Sequence, residues 1–466
     1  MQHSPIRISL KEKIGYSVGD TASNLFFQTF ILFLLYFYTD VFGLSAAAVG
    51  TMFLVTRIWD AVNDPVMGMI ADRTNTRWGK FRPYLLFLAV PFGIIGILTF
   101  TVPDFDANGK LIYAYITYTL MMMFYTAINV PYSALMAVIT PNSMQRTVLS
   151  SFRFVAAFFG GVIVQSATMT LVEYFGGGDE ALGWQWAMGL ISGLAIILFF
   201  ITFFTTKERV VPLHEQKSDF KQDIKDLFTN KPWLLIAGAT VFQLTSIVMR
   251  GGTIAYYFKY YIQEQSFTLF NYNIDLSTAV FTSSFMLVGT IATIIGAILT
   301  KWISKVFDKK NTYSFFLIIS SALYTVYFFL TPENVILIFA FNIVLSFFLG
   351  PVSVLQWAMY TDTADYSEWI NGRRATGLVM SASLFALKLG LTLGGALAGW
   401  ILAYYGFIAN QDQTLESMEG IKMLMSIIPA IIGIIGGIII IWYPLNNKKM
   451  EEIEFDLTER RLHESV

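Results

Sequence analysis

Long runs of apolar residues, joined by short polar connections, occupy most of this chain. A helix that crosses a bilayer needs about 20 mainly apolar residues. In lipid each backbone group must bond within its own segment, so helix is the reading of every run. The expected spans are 17–41, 46–71, 83–103, 111–139, 151–173, 184–205, 233–262, 277–300, 313–331, 335–360, 376–406 and 421–444. The first run, near Leu25 to Tyr38, reads as a retained helix rather than a secretory signal, because a second span follows at once.

The longest polar connection, Lys207 to Pro232, separates six spans from six. The expected organisation is a six-helix bundle over 1–206, a linker over 207–232, a second bundle over 233–445 and a tail over 446–466. Phe220, Ile224, Leu227 and Phe228 recur at helical spacing in the linker and predict a short helix on the membrane surface. Met450, Ile453 and Leu457 predict a similar helix in the tail. The fold class is an all-α membrane protein of twelve transmembrane helices, with a binding site between the two bundles near mid-membrane.

Composition agrees, since 55% of residues are hydrophobic and 14% charged, against about 25% charged in soluble domains. The net charge of -1 suggests no nucleic-acid partner. Placement says more than the total. Outside the apolar runs the basic residues gather on alternate connections, and only Lys110, Lys259 and Lys422 lie on the opposite side. The positive-inside rule therefore puts both termini in the cytoplasm. The absence of cysteine excludes disulfides and thiolate chemistry, and His3, His214 and His463 all lie outside the apolar runs. No phosphate-cradling Gly-Lys-Ser/Thr loop supports ATP-driven pumping.

Charges inside the spans carry the chemistry. The second span contains Arg57, Asp60, Asn63 and Asp64, and each charge at a helix centre costs roughly 2.5 to 3.5 kcal/mol. Positions 57, 60 and 64 share one face. Two carboxylates one turn apart beside an amide oxygen suit a small hard cation. Two readings stand on this spacing: a cation site, or a structural ion-pair network with Arg57.

Lys388 lies twelve residues from the cytoplasmic end of the eleventh span, roughly 18 Å deep. Asp60 and Asp64 are the expected partners, as the only comparably buried acids; snorkelling to an interface is the alternative. For Arg250 the length of its span leaves two placements open, within the membrane interior or near the outer surface. In the fourth span Tyr125, Thr126, Asn129 and Pro131 place polar groups on a helix with a proline, and each alone would read as packing glue. Gly390, Gly394 and Ala398 read as close helix packing, and Trp184, Trp442 and Tyr443 as interfacial belt residues. Gln356 and Trp357 could offer a sugar an amide and a stacking face. Paired carboxylates on one helix face do not suit glycoside hydrolysis, so an enzyme is rejected.

Arg57-Ile-Trp-Asp60-Ala-Val-Asn63-Asp64-Pro65, followed by Arg77-Trp78-Gly79-Lys80-Phe81-Arg82-Pro83, resembles the signature of the glycoside-pentoside-hexuronide:cation symporters. That family belongs to the major facilitator superfamily and includes the melibiose carrier. Asp362-Thr-Ala-Asp365-Tyr366-Ser367-Glu368-Trp369 and Lys388 match further family positions. The resemblance implies a sodium site at Asp60, Asn63, Asp64 and Thr126, with Asp60 and Asp64 as the charged metal ligands. It implies substrate contacts or coupling roles for Tyr125, Arg153 and Lys388, beside Gln356 and Trp357, and gating or structural charges at Arg57, Asp362, Asp365 and Arg374.

One departure matters. Two sugar-binding aspartates of the melibiose carrier appear here as Asn24 and Asn129, which lack the charge-assisted bond of a carboxylate. The pattern is similar to a xyloside-type subgroup. The implied activity is uptake of a sugar or glycoside by symport with sodium, lithium or a proton, without a cofactor. The protein is expected to act as a monomer, multi-pass in a bacterial inner membrane. A lipid or lysolipid carrier on the same fold and a non-transporting membrane sensor are the rival readings.

Overall fold

Polar residues at the ends of apolar runs start the helices of this chain. In the computed structural model, which describes residues 8–140, 143–209, 225, 227–269, 272–372 and 376–464, Ser9 accepts from the Glu12 amide at 3.2 Å and caps α1 (Leu10–Tyr36). Ser45 does the same for α2 (Ala46–Arg73). The third expected span is broken into α3 (Arg82–Phe87) and α4 (Ala89–Thr99). Pro91 is the reason, because it has no N–H for the Phe87 carbonyl. Asp106 caps α5 (Ala107–Ile139), and after α6 (Ser143–Gly176) Asp179 caps α7 (Glu180–Thr205).

The start of α3 is held by a distant acid. The Glu208 carboxylate accepts from the amides of Lys80, Phe81 and Arg82 at 2.7, 2.8 and 2.9 Å. Gly79 (φ 112°) makes the approach possible, since a Cβ there would fall 2.5 Å from the Glu208 carboxyl carbon. Next to it Arg209 forks onto Glu12, both bonds being 2.8 Å, which raises the guanidinium pKa above its ordinary value.

The second half runs α8 (Lys231–Tyr256), β1 (Gln265–Leu269), β2 (Tyr272–Leu276), α9 (Thr278–Phe307), α10 (Lys309–Tyr324), α11 (Val335–Asn371), α12 (Thr376–Tyr404), α13 (Leu415–Met425), α14 (Ile427–Ile441) and α15 (Asn447–Glu464). β1 and β2 form an antiparallel hairpin, Gln265 opposite Leu276, where the sequence pattern predicts only a connection. The last span is broken at Ser426, because Pro429 cannot donate to the Met425 carbonyl.

Among the described residues nine helices are long and apolar enough to cross a membrane: α1 continued to Val41, α5, α6, α7, α8 continued to Ile262, α9, α11, α12 and the α13–α14 pair. The other three expected spans are also helical, as α2 with its buried charges, the α3–α4 pair, and α10.

The chain forms two compact units, one of Met1–Glu215 with Ala279–Ser284 and Ile408–Gln411, the other of the remainder. Each repeats one internal scheme. In the first, α1 packs against α6 and α7; in the second, α8 packs against α12 and α14. Small residues allow the approach. A Cβ on Gly160 would lie 2.9 Å from the Thr21 carbonyl, and one on Gly390 or Gly394 2.8 Å from that of Val241 or Thr245, so those two glycines do pack helices closely.

The linker helix expected through Phe220 and Ile224 lies outside the described residues, while Leu227 is buried and Phe228 exposed. In the tail α15 forms as expected, but Met450, Ile453 and Leu457 join an apolar cluster with Met359, Tyr360 and Tyr443. Its apolar face is thus covered by protein rather than lipid.

Candidate functional site

Helical spacing brings Arg57, Asp60 and Asp64 to one face of α2, and packing of α2 on α5 supplies Thr126. The Thr126 hydroxyl lies 3.0 Å from Asp60 Oδ1 and 2.9 Å from Asp64 Oδ1. A hydroxyl has one proton to donate, so the two carboxylates share it. Asp60 is 1% exposed, and Asn63 is half-buried one residue before Asp64. Arg57 Nη1 stands 3.6 Å from Asp60 Oδ2 on the same helix, beyond ordinary hydrogen-bond distance. Among the described residues there is no group of three or more His, Cys, Asp or Glu that could hold a metal ion. Two carboxylates, a hydroxyl and an amide oxygen can ligate a small monovalent cation, or share a proton.

One and two turns along the same bundle are the other predicted polar groups. Asn129 Oδ1 accepts from Ser23 Oγ at 2.7 Å and its amide donates to the Tyr125 carbonyl at 2.9 Å. Asn24 donates to the Asp20 carbonyl at 2.9 Å. The Tyr125 ring lies 6.4 Å from both Phe27 and Phe92. Arg153, on α6, forks onto Asp20 of α1: Nη2 donates to Oδ1 at 3.1 Å and Nε to Oδ2. The Tyr132 hydroxyl of α5 lies 2.8 Å from the same Oδ2 and 2.8 Å from the Tyr16 carbonyl, two acceptors that share its one proton. The guanidinium also lies over the Tyr132 and Tyr16 rings, 4.9 and 5.6 Å from their centroids. A cavity of about 230 Å³ opens here, lined by Asp20, Ser150, Arg153, Phe154 and Ala157.

Asp20 was absent from the residues singled out in the sequence. The expectation that Asp60 and Asp64 are the only comparably buried acids fails, because the Asp20 side chain is 14% exposed and that of Glu12 6%. The signal was a carboxylate ten residues inside the first helix, one turn before Asn24.

In the second unit Gln356 is 3% exposed and its Nε2 has no hydrogen-bond partner among the described residues. Trp357 is half-buried, its ring 6.2 Å from that of Tyr360. Lys388 is half-buried midway along α12. Asp362 accepts from Lys309 Nζ at 3.0 and 2.9 Å, a partner that sequence spacing did not reveal. Asp365 is half-buried, and Arg374 lies outside the described residues. Arg250, whose placement the sequence left open, is 7% exposed and enclosed by Phe285, Tyr324 and Tyr327, with ring centroids at 5.6, 4.8 and 4.9 Å. Trp184 and Tyr443 correct the belt assignment: both are fully buried, Trp184 stacked on Phe100 at 5.4 Å, whereas Trp442 is 64% exposed.

Comparison with known proteins agrees with this architecture. Residues 15–447 match the family described as MFS/sugar transport protein. The inner membrane symporter YicJ of Escherichia coli K12 is 40% identical over 433 residues, covering 93% of this chain and 91% of its own. The isoprimeverose transporter of Lactiplantibacillus pentosus is 33% identical, covering 98% and 92%. Among solved structures, an inward-facing bacterial homologue of the human lysosomal transporter Spinster superposes with a TM-score of 0.65 at 15% identity, over 94% of this chain and 98% of that one. At that identity the likeness is one of fold.

Proposed function

We propose, from the premise that this chain belongs to the MFS/sugar transport protein family, that it drives uptake of a sugar or glycoside by symport with a monovalent cation. It is a transporter and not an enzyme. The finer reading is twelve spans in two bundles, with both termini cytoplasmic, in a bacterial inner membrane, as the name of YicJ supports.

One observation carries the coupling: a single hydroxyl of α5 lies within hydrogen-bond reach of both carboxylates of α2. Two like charges on one donor repel in a low-dielectric setting. Sodium, lithium or a proton relieves that repulsion, with Asp60, Asp64, Thr126 and Asn63 as the oxygen ligands. Thr126 and Asn129 stand one turn apart on α5, which ties the ion to a sugar held by Asn24, Tyr125, Asn129 and Arg153. Lys388, midway along α12, takes part in cation coupling. Within the second bundle Gln356 and Trp357 are candidate sugar contacts of their own, and Arg57, Asp362, Asp365 and Arg374 are gating or structural charges.

The substrate class favoured is an uncharged xyloside-type glycoside, in keeping with the name of the isoprimeverose transporter. The test is accumulation of labelled xylosides in membrane vesicles under a sodium, lithium or proton gradient. Asp60→Cys or Asp64→Cys should abolish gradient-driven accumulation while downhill exchange persists. Sugar affinity indifferent to sodium, lithium and pH would sink the scheme.

A further inference from the structure

The cavity beside α1 and α6 contains the chemistry of hydroxyl recognition in unusually complete form. Asp20 supplies a carboxylate whose Oδ1 accepts one bond, from Arg153 Nη2, and keeps a further lone pair for a charge-assisted bond. Arg153 spends Nε and one Nη2 proton on Asp20, and its remaining N–H groups are donors for a ligand. Among the described residues Ser150 donates to the Met136 sulfur at 3.4 Å, a weak acceptor that a sugar oxygen would displace. Phe154 is 58% exposed and offers an apolar face to ring C–H groups.

We propose that Asp20 is the charge-selectivity determinant of this transporter: its carboxylate fills the guanidinium fork of Arg153, so the pocket takes an uncharged glycoside and refuses a sugar carboxylate. This rests on the pocket being part of the substrate site. The Nε–Nη2 edge of an arginine is one of the two that bind a carboxylate bidentately. Here that edge is occupied from within the protein by an acid on another helix. The Tyr132 hydroxyl, whose proton the Tyr16 carbonyl shares, also lies against this carboxylate, and the pair is only partly exposed, at 14% for Asp20 and 21% for Arg153. The ion pair is neutral overall. An incoming uronate therefore finds the Nε–Nη2 edge taken and, on the Nη1 side that remains, a like charge close by, whereas a hydroxyl finds an acceptor and donors. Asp20→Asn reverses this. It removes the repelling charge and leaves a half-buried guanidinium with a net charge to neutralise.

The experiment measures binding of p-nitrophenyl β-D-xyloside and p-nitrophenyl β-D-glucuronide to the purified full chain. The two probes differ by the carboxylate on C5. The wild-type protein should prefer the xyloside, and Asp20→Asn should weaken xyloside binding about tenfold or more. The same variant should gain glucuronide binding, which Asp20→Asn combined with Arg153→Gln should lose. Asp20→Glu, which keeps the charge, should keep the wild-type order and guards against a mere folding defect. A wild-type protein that binds both probes alike, or an unchanged preference in Asp20→Asn, overturns the proposal. Ala157→Trp separates the underlying reading: it fills the pocket, and xyloside uptake that survives it removes the pocket from the substrate site altogether.

Discussion

Thr126 has one hydroxyl proton and two carboxylates within its reach. Replacing it by valine keeps the side-chain shape and removes the donor, which costs about 1–3 kcal/mol where a buried acceptor goes unserved. Thr126→Val should therefore lower the apparent affinity for the coupling cation about tenfold, read as a rightward shift in a sodium titration of sugar binding. Thr126→Ser should leave the titration near that of the parent. An unshifted curve for the valine variant would reduce Thr126 to packing. The residue scale also marks the limit of pattern reading. Spacing along α2 brings Arg57, Asp60 and Asp64 to one face, and they do meet. No spacing relates Asp20 to Arg153, which are 133 positions apart.

At the scale of elements, two contacts show how polar residues hold helices in place. Glu208 accepts from three successive amides at the head of α3. Glu208→Ala should lower the unfolding temperature in detergent, by the equivalent of about 1–3 kcal/mol, since those amides lose their acceptor together. At the other end of the chain, Trp369 of α11 donates to Asp456 at 2.8 Å, its carbonyl accepts from Arg460 at 2.9 Å, and Lys449 lies over its ring at 4.5 Å. Trp369→Ala should release α15, seen as faster hydrogen exchange over residues 450–457 with exchange in α8 unchanged. The close contact of α12 with α8 gives a third expectation. Gly394→Val places side-chain atoms against the Thr245 carbonyl, already 2.8 Å from an ideal Cβ. The overpacking should cost about 1–3 kcal/mol, while Gly189→Val, which meets nothing within 4 Å, should cost far less.

For the whole molecule the governing relation is linkage. If cation and sugar sites are coupled, the factor by which sodium tightens sugar binding must equal the factor by which sugar tightens sodium binding. Calorimetry run in both orders on the purified protein checks this, and unequal factors would show that the two ligands do not report one equilibrium. Each half of the chain repeats the packing of its first helix on its fifth and sixth, the internal symmetry on which alternating access depends in inverted-repeat and parallel-repeat carriers.

What the sequence determined by itself is the solvent and the element. Apolar runs of bilayer length force the chain into helices because backbone groups in lipid have no other local partner, whereas which prolines break a helix was not legible, since Pro91 and Pro429 stand at breaks while Pro131 and Pro351 lie inside continuous helices. It also determined the acidic face of α2, because residues one turn apart meet wherever the helix goes. Only the tertiary structure decided which distant side chains share a pocket. Arg250 and Trp184 became enclosed by rings from other helices, and Asp20 met Arg153 and Tyr132 from two others. The physical reason is that a buried charge must find its partner through space, and helix packing, which one-dimensional periodicity does not encode, sets which side chains come within reach.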